Sequence, residues 1–150
     1  MADLQVVAEP FAPGSQALSL GIKTGKTAVV SLITTGTYAI DLPAVSGARP
    51  IIVFGGFMLT SRSAATVTGT LTFSIGNNSA TFNNMVTSTN VAAAAFNAVT
   101  FTVPFFLPMA IGASTGGQPD MATAPTLNIT AALGGVATLQ GRFGLFALLV

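Results

Sequence analysis

The chain contains no cysteine, no histidine and no tryptophan, and it has a single tyrosine. Without cysteine it can form neither a disulfide nor a thiolate metal site. Without histidine it lacks the side chain that most often serves as a general base and as a ligand for transition metals. These absences predict a protein that uses no metal and no cofactor.

Charged residues are also scarce. They make up only 6% of the chain, and the formal net charge is +1, whereas a soluble domain is typically about 25% charged. Residues 63–119 contain no Asp, Glu, Lys or Arg at all. The polar character of this run comes from Thr, Ser, Asn and Gln, which can be buried without the desolvation cost of an ion. The composition therefore favours a subunit of an assembly over a free monomer.

The few acidic groups do not form a catalytic pattern. They are scattered along the chain as Asp3, Glu9, Asp41 and Asp120, and no two of them stand at the short spacing that would indicate a carboxylate pair. Asp120 follows a glycine-rich segment, but one carboxylate makes a poor site for a divalent ion. Because no histidine or nearby lysine is available to activate a hydroxyl nucleophile, we expect the protein not to be an enzyme.

The distribution of basic residues and hydropathy excludes two classes of partner. The basic residues form no cluster that would indicate nucleic-acid binding; they are Lys23, Lys26, Arg49, Arg62 and Arg142. Residues 91–113 match the ~20-residue length of a membrane span, but Pro104 and Pro108 would break a helix there. The first residues, MADLQVVAEPFAPGSQ, do not resemble a secretory signal peptide. We expect no nucleic acid, no membrane, and synthesis in the cytoplasm of the producing cell.

The order of apolar and turn residues predicts an all-β protein. Residues 1–25 contain Pro10, Pro13 and Gly14 and are expected to form an extended N-terminal arm. Residues 26–150 form a single domain of about eight short strands, an antiparallel β-sandwich for which a jelly roll is one arrangement. The strands are expected at residues 27–34, 37–43, 49–62, 66–76, 79–86, 98–106, 126–133 and 137–150.

Several local features follow from the same patterns. Residues 66–76 alternate between apolar and hydroxylated side chains, as a half-buried strand requires, and should form a hairpin with residues 79–86. The pair Gly55-Gly56 indicates a bulge or a bend between sheets. Residues 90–98 are the one expected helix, with Asn90 as its cap. The last two strands are expected to form a hairpin around Gly134-Gly135.

Six residues are candidates for a subunit or capsid interface. The closing segment RFGLFALLV is apolar on both alternating faces, with Phe143 on one and Phe146 on the other, so both faces need cover. Isolated arginines in nearly uncharged surroundings are candidates for contacts with a partner's carboxylates or carbonyls. Phe11, between two prolines of the arm, is a candidate anchor in a neighbour's pocket. The full set is Phe11, Arg49, Arg62, Arg142, Phe143 and Phe146.

In texture the chain resembles the small structural proteins of tailed-bacteriophage virions, and most of all the head decoration (cement) proteins. The segments that carry the resemblance are VVSLITTGTYAIDLP, LTFSIGNNSATFNNM and LQGRFGLFALLV. The resemblance implies a β-sandwich or jelly roll, usually a homotrimer, bound to the major capsid protein on the capsid surface of the virion, where it stiffens the shell.

Two other functions fit the composition. A tail or spike component, or a receptor-binding module, would share it, although a sugar-binding module is expected to expose more aromatic side chains than one tyrosine and no tryptophan allow. A single-jelly-roll shell subunit is a further alternative. Such a subunit often carries a basic arm for packaged nucleic acid, whereas here Asp3 and Glu9 come before Lys23 and Lys26.

Overall fold

The computed structural model describes residues 21–64, 66–97, 105–107 and 120–149. In these residues two antiparallel sheets face each other, and the predicted all-β sandwich is confirmed; the jelly roll stays a prediction. The strands are β1 (Gly21–Lys26), β2 (Val30–Ser31), β3 (Gly36–Ala39), β4 (Pro50–Arg62), β5 (Thr70–Gly76), β6 (Val86–Ala92), β7 (Phe105–Leu107), β8 (Thr126–Ala131) and β9 (Leu139–Leu149), with one helix, α1 (Ala93–Asn97).

The five-stranded sheet is built around β9. Its order is β1-β9-β4-β7, and β2 also pairs with β9. The register places Gly144 between Lys26 of β1 and Gly56 of β4. Strand β1 begins at Gly21, so residues 21–25 belong to the sheet and not to the arm that the sequence predicts; residues 1–20 lie outside the described part of the chain.

The four-stranded sheet has the order β3-β8-β5-β6. Its strand β5 confirms the predicted apolar positions: Leu71, Phe73 and Ile75 are at most 1% exposed and face the core, while Ser74, predicted on the polar face, is itself only 3% exposed. Strand β9 in the other sheet also alternates, with Leu145, Ala147 and Leu149 buried. The period of two, with apolar side chains inward, is what places the core between the two sheets.

Four phenylalanine rings form the centre of that core. Phe57 of β4 lies 5.1 Å from Phe143 of β9 and 5.9 Å from Phe73 of β5, measured between ring centroids. Phe96 of α1 packs against Phe57 at 6.5 Å. Edge-to-face rings at such distances contribute beyond their burial, about 0.5–1.5 kcal/mol per pair. The cluster therefore joins both sheets and the helix through one side chain, Phe57.

The predicted bulge or bend between sheets at Gly55-Gly56 is wrong. Strand β4 stays in one sheet over its whole length, and its register shifts lie between Ile52 and Phe54 and between Leu59 and Ser61. The two glycines lie between these bulges, where β4 pairs with β7 on one side and with β9 on the other. A bulge adds one residue to one strand, and the sequence does not mark which residue that is.

The predicted hairpin with residues 79–86 is half correct. Strand β5 does pair with the next strand, but that strand is Val86–Ala92, and residues 77–85 form the connecting loop. The asparagines of the loop bond to one another and to its backbone; Asn78 Oδ1, for example, accepts from the Asn83 N–H at 3.0 Å. Such side chains compete with the strand ladder for backbone groups, which explains why NNSATFNN is a loop.

Two further predictions are wrong. Asn90 does not cap a helix: it lies in β6, and its Oδ1 accepts from the Thr72 hydroxyl at 2.7 Å, while α1 starts only at Ala93. The last two strands do not form a hairpin, because β8 pairs in the four-stranded sheet and β9 in the five-stranded one. Gly134 instead bridges to Thr68, where the chain passes between the sheets.

Asp120 joins two loops at one end of the sandwich. Its carboxylate accepts from the Gly47 N–H at 3.0 and 3.2 Å and from the Ala122 N–H at 2.6 Å. Gly47 has a φ of 82°, a conformation that favours glycine. Asn77 Nδ2 donates to the carbonyls of Asp120 and Thr123 and adds a third loop. The structural role of Asp120 is thus to hold these turns together.

The aromatic cluster predicts a large stability effect at Phe57. We expect Phe57→Ala to lower the free energy of unfolding by about 3–5 kcal/mol, because it removes a buried ring and leaves a cavity. Val29→Ala is the control, since Val29 is 42% exposed, and it should change stability by less than about 0.5 kcal/mol. Urea unfolding measures both; equal effects would contradict the central role of Phe57.

The carboxylate at Asp120 predicts a local effect. Asp120→Asn replaces one acceptor oxygen with a donor, so we expect a loss of about 1 kcal/mol and faster hydrogen exchange at the amides of Gly47 and Ala122. Asp41→Asn, at an exposed position, is the matched control and should leave both amides unchanged. Unchanged exchange in Asp120→Asn would show that the carboxylate does not hold the loops.

Candidate assembly interface

The outer face of the five-stranded sheet carries apolar side chains. Along β9 the outward positions after Arg142 are Gly144, Phe146 and Leu148, and Phe146 is 39% exposed. The neighbouring outward position on β4 is Met58, registered opposite Arg142. A large aromatic ring exposed on a regular sheet is a typical anchor for a protein partner. We call this surface, from Arg142 to Leu148 with Gly56 and Met58, the apolar strip.

A groove of about 470 Å³ lies in the apolar strip. Its floor is formed where Gly56 and Gly144 stand opposite each other, because neither residue has a side chain to fill the space. A Cβ built on Gly144 would come no nearer to another heavy atom than 3.8 Å, to the Gly25 carbonyl oxygen. Phe146 and Met58 stand at its sides. The groove can therefore accept a side chain or an extended segment.

The charges around the groove have one sign. Lys26 and Arg142 both line it and both are exposed. Arg49, also exposed, directly precedes β4 at the opposite end of the sheet, where Pro50 pairs with Leu149. Within the described part of the chain, no Asp or Glu lines the groove. The surface is therefore apolar along its length and positively charged at its edges.

The six predicted interface residues do not all lie on one surface. Arg142 and Phe146 lie together on the apolar strip, and Arg49 stands beyond its far end. Arg62 is turned to its own chain: its Nη1 donates to the carbonyl of Phe96 at 2.6 Å and so ties β4 to the end of α1. Phe11 lies outside the described residues.

The prediction of Phe143 as an interface residue is wrong. Its ring is 0% exposed and packs against Phe57 and Phe73 inside the single chain. The alternation that assigns Phe143 and Phe146 to opposite faces is right, but the inner face is already covered by the second sheet. Of the two faces of β9, the outer one is therefore the candidate interface. Sequence reasoning missed Lys26, Met58 and the two glycines of the floor, because cross-strand register brings them to β9.

The outer face of the four-stranded sheet is different. Thr72 of β5 is registered between Thr130 of β8 and Asn90 of β6, and Asn128 of β8 is registered between Ser74 and Thr37. These side chains are hydroxyls and amides with no charge among them. Thr72 donates to Asn90 Oδ1 at 2.7 Å, and Ser74 is only 3% exposed. The two outer faces of the sandwich thus differ in chemistry.

The described ranges contain no group of three or more metal-ligating side chains. No helix in that part of the chain is both long and apolar enough to cross a membrane.

Comparison with known proteins gives little that is similar. No protein-family model matches the chain, and no curated protein matches it. Among solved structures, the chain is similar to one from the "Cyanophage Pam1 capsid asymmetric unit", with a TM-score of 0.46 and 15% sequence identity over 98% of this chain and 97% of that one. Similarity at this level assigns no family.

Proposed function

We propose that the protein is a non-enzymatic structural protein of a phage virion, and that it binds the capsid as a decoration protein. The observation that carries the proposal is the apolar strip, an exposed hydrophobic face on a domain with almost no charge. Covering such a face is favourable, by about 25 cal/mol for each Å² of apolar area that is removed from water. In this proposal the cover is provided by neighbouring copies and by the major capsid protein.

The low net charge of the chain supports an oligomer over a monomer. A chain with a net charge of +1 has little self-repulsion to keep it apart from other copies. Stable oligomers commonly bury surfaces that resemble a domain core cut in half, and Phe146, Leu148 and Met58 fit that description. A homotrimer at a junction of the shell is the arrangement we favour, from the resemblance in texture described above.

The two outer faces give the subunit an orientation. The four-stranded sheet presents Thr72, Asn90 and Thr130, which are polar and uncharged and of which Asn90 and Thr130 are exposed. The five-stranded sheet presents the apolar strip. A subunit placed on a shell would therefore direct its apolar strip towards protein and its hydroxylated sheet towards solvent.

Light scattering tests the proposal. The purified full chain should have the mass of an oligomer that is the same at low and high salt, because apolar burial is not screened by ions. Phe146→Lys should shift the mass towards the monomer, since loss of an aromatic anchor weakens association by about 2 kcal/mol or more, roughly thirtyfold.

Thr130→Lys is the matched control, because it adds the same charge to an exposed position on the other outer face. It should leave the mass unchanged. Circular dichroism checks that both variants keep the β fold. A full chain that is a monomer at both salt concentrations would contradict the proposal of an oligomer, and so would a Phe146→Lys variant with unchanged mass.

A further inference from the structure

Most of the charged side chains in the described part of the chain already interact inside the chain. Seven of the nine charged residues lie in that part, and four of them bond to or contact other groups of the same chain: Lys23, Arg49, Arg62 and Asp120. The other three, Lys26, Asp41 and Arg142, are exposed, and their charged groups form no hydrogen bond or ion pair among the described residues.

These three side chains lie on one continuous surface. Lys26 and Arg142 both line the groove of the apolar strip. Lys26 and Asp41 both line a second cleft, of about 500 Å³, next to the groove. The backbone N–H of Asp41 donates to the carbonyl of Lys26 at 2.8 Å. Lys26 therefore lies between the other two, and two cations are followed by one carboxylate. We call Arg142, Lys26 and Asp41 the charged edge.

The packing beneath the charged edge directs Lys26 and Asp41 to the same side. Ile40 and Leu42 are each 2% exposed and point into the core, so Asp41 between them points outward. A Cβ built on Gly25 would come within 2.7 Å of Ile40 Cγ2, so that glycine also faces inward. Lys26 and Asp41, each one residue further along, therefore face outward together.

We propose that the charged edge is a contact between two copies of this chain, in which Asp41 of one copy lies between Lys26 and Arg142 of the next. This inference rests on the proposed association through the five-stranded sheet. An arginine can hold both oxygens of a carboxylate, and a carboxylate between two cations of like sign relieves their repulsion.

A second copy fits because the charged edge contains both signs and so is complementary to itself. When Asp41 of each copy meets the cations of the next, one contact repeats around a closed ring. Exposed pairs at the rim of an interface determine which surfaces meet more than how tightly they bind. The pairing is therefore compatible with an oligomer whose mass is the same at low and high salt.

Charge reversal in the full chain tests the proposal. Asp41→Lys leaves only cations on the charged edge, and the double variant Lys26→Asp with Arg142→Asp leaves only carboxylates. At low salt each should raise the dissociation constant of the oligomer about fivefold or more, and high salt should reduce the difference. A chain with all three changes regains opposite charges and should associate nearly as the unaltered chain does. Thr130→Lys, on the other sheet, is the control.

Cross-linking separates two copies from one. A carbodiimide joins a carboxylate to an amine that it contacts, as an amide between Asp41 Cγ and Lys26 Nζ, and takes up the water that is lost. Unlabelled and ¹⁵N-labelled chains are mixed in denaturant and refolded together before the reaction. The proposal predicts cross-linked Asp41 and Lys26 peptides of mixed isotope in the mass spectrum.

Three results would overturn the proposal. Cross-linked peptides of a single isotope would place the pair within one copy, and the absence of an Asp41–Lys26 product would show no such contact. An oligomer that Asp41→Lys leaves unchanged would show that another group faces the cations, although association through the apolar strip would stand. A monomeric unaltered chain would contradict that association as well.

Discussion

The contact between Phe57, Phe73 and Phe143 is the interaction on which the sandwich depends. These rings come from β4, β5 and β9, and two of those strands belong to one sheet and the third to the other. Their centroids lie 5.1–5.9 Å apart, and all three are at most 1% exposed. Because the inner face of β9 is used in this way, its alternate residues have to face outward. The core thus determines that Phe146 and Leu148 lie on the outside.

This constraint gives the molecule two unlike surfaces. The uncharged run of residues 63–119 includes β5 and β6, whose outward positions include Thr72, Ser88 and Asn90, so part of the run is polar without any ion. The apolar strip on the other sheet is the surface that gains from cover. The uncharged composition therefore has two physical origins: a neutral polar outer face on one sheet and the tightly packed core between the sheets.

The period of two along a strand predicted the inward apolar residues well. The alternation of β5 and β9 gave the correct inward residues, Leu71, Phe73 and Phe143 among them, because a strand's two faces follow from its period alone. Long-range pairing was not predictable in the same way. The glycines at 134 and 135 are typical of a hairpin turn, yet β8 and β9 enter different sheets, since the choice of sheet depends on partners distant in sequence.

The candidate interface shows the same limit. The alternation of the last strand correctly placed Phe146 on the outer face, where it is 39% exposed; its role in an interface stays a prediction. The groove beside it depends on Gly56 and Lys26 being registered against Gly144, and no feature of RFGLFALLV indicates that register. Arg62 and Arg142 have similar surroundings in the sequence. In the structure, however, Arg62 donates a hydrogen bond to the carbonyl of Phe96, at the end of α1 in the same chain. A tertiary contact thus gives different roles to two arginines that look equivalent in the sequence.

Oxidation of methionine side chains gives the most direct test that the apolar strip is covered on assembly. Met58 lines the groove and is partly exposed, whereas Met85 and Met121 are at most 1% exposed in the core. If copies associate through the strip, hydroxyl-radical oxidation of Met58 should slow several-fold as protein concentration rises, while Met85 and Met121 stay slow throughout. A Met58 rate that does not change over the concentration range in which the mass increases would contradict the account, because assembly would then use another face.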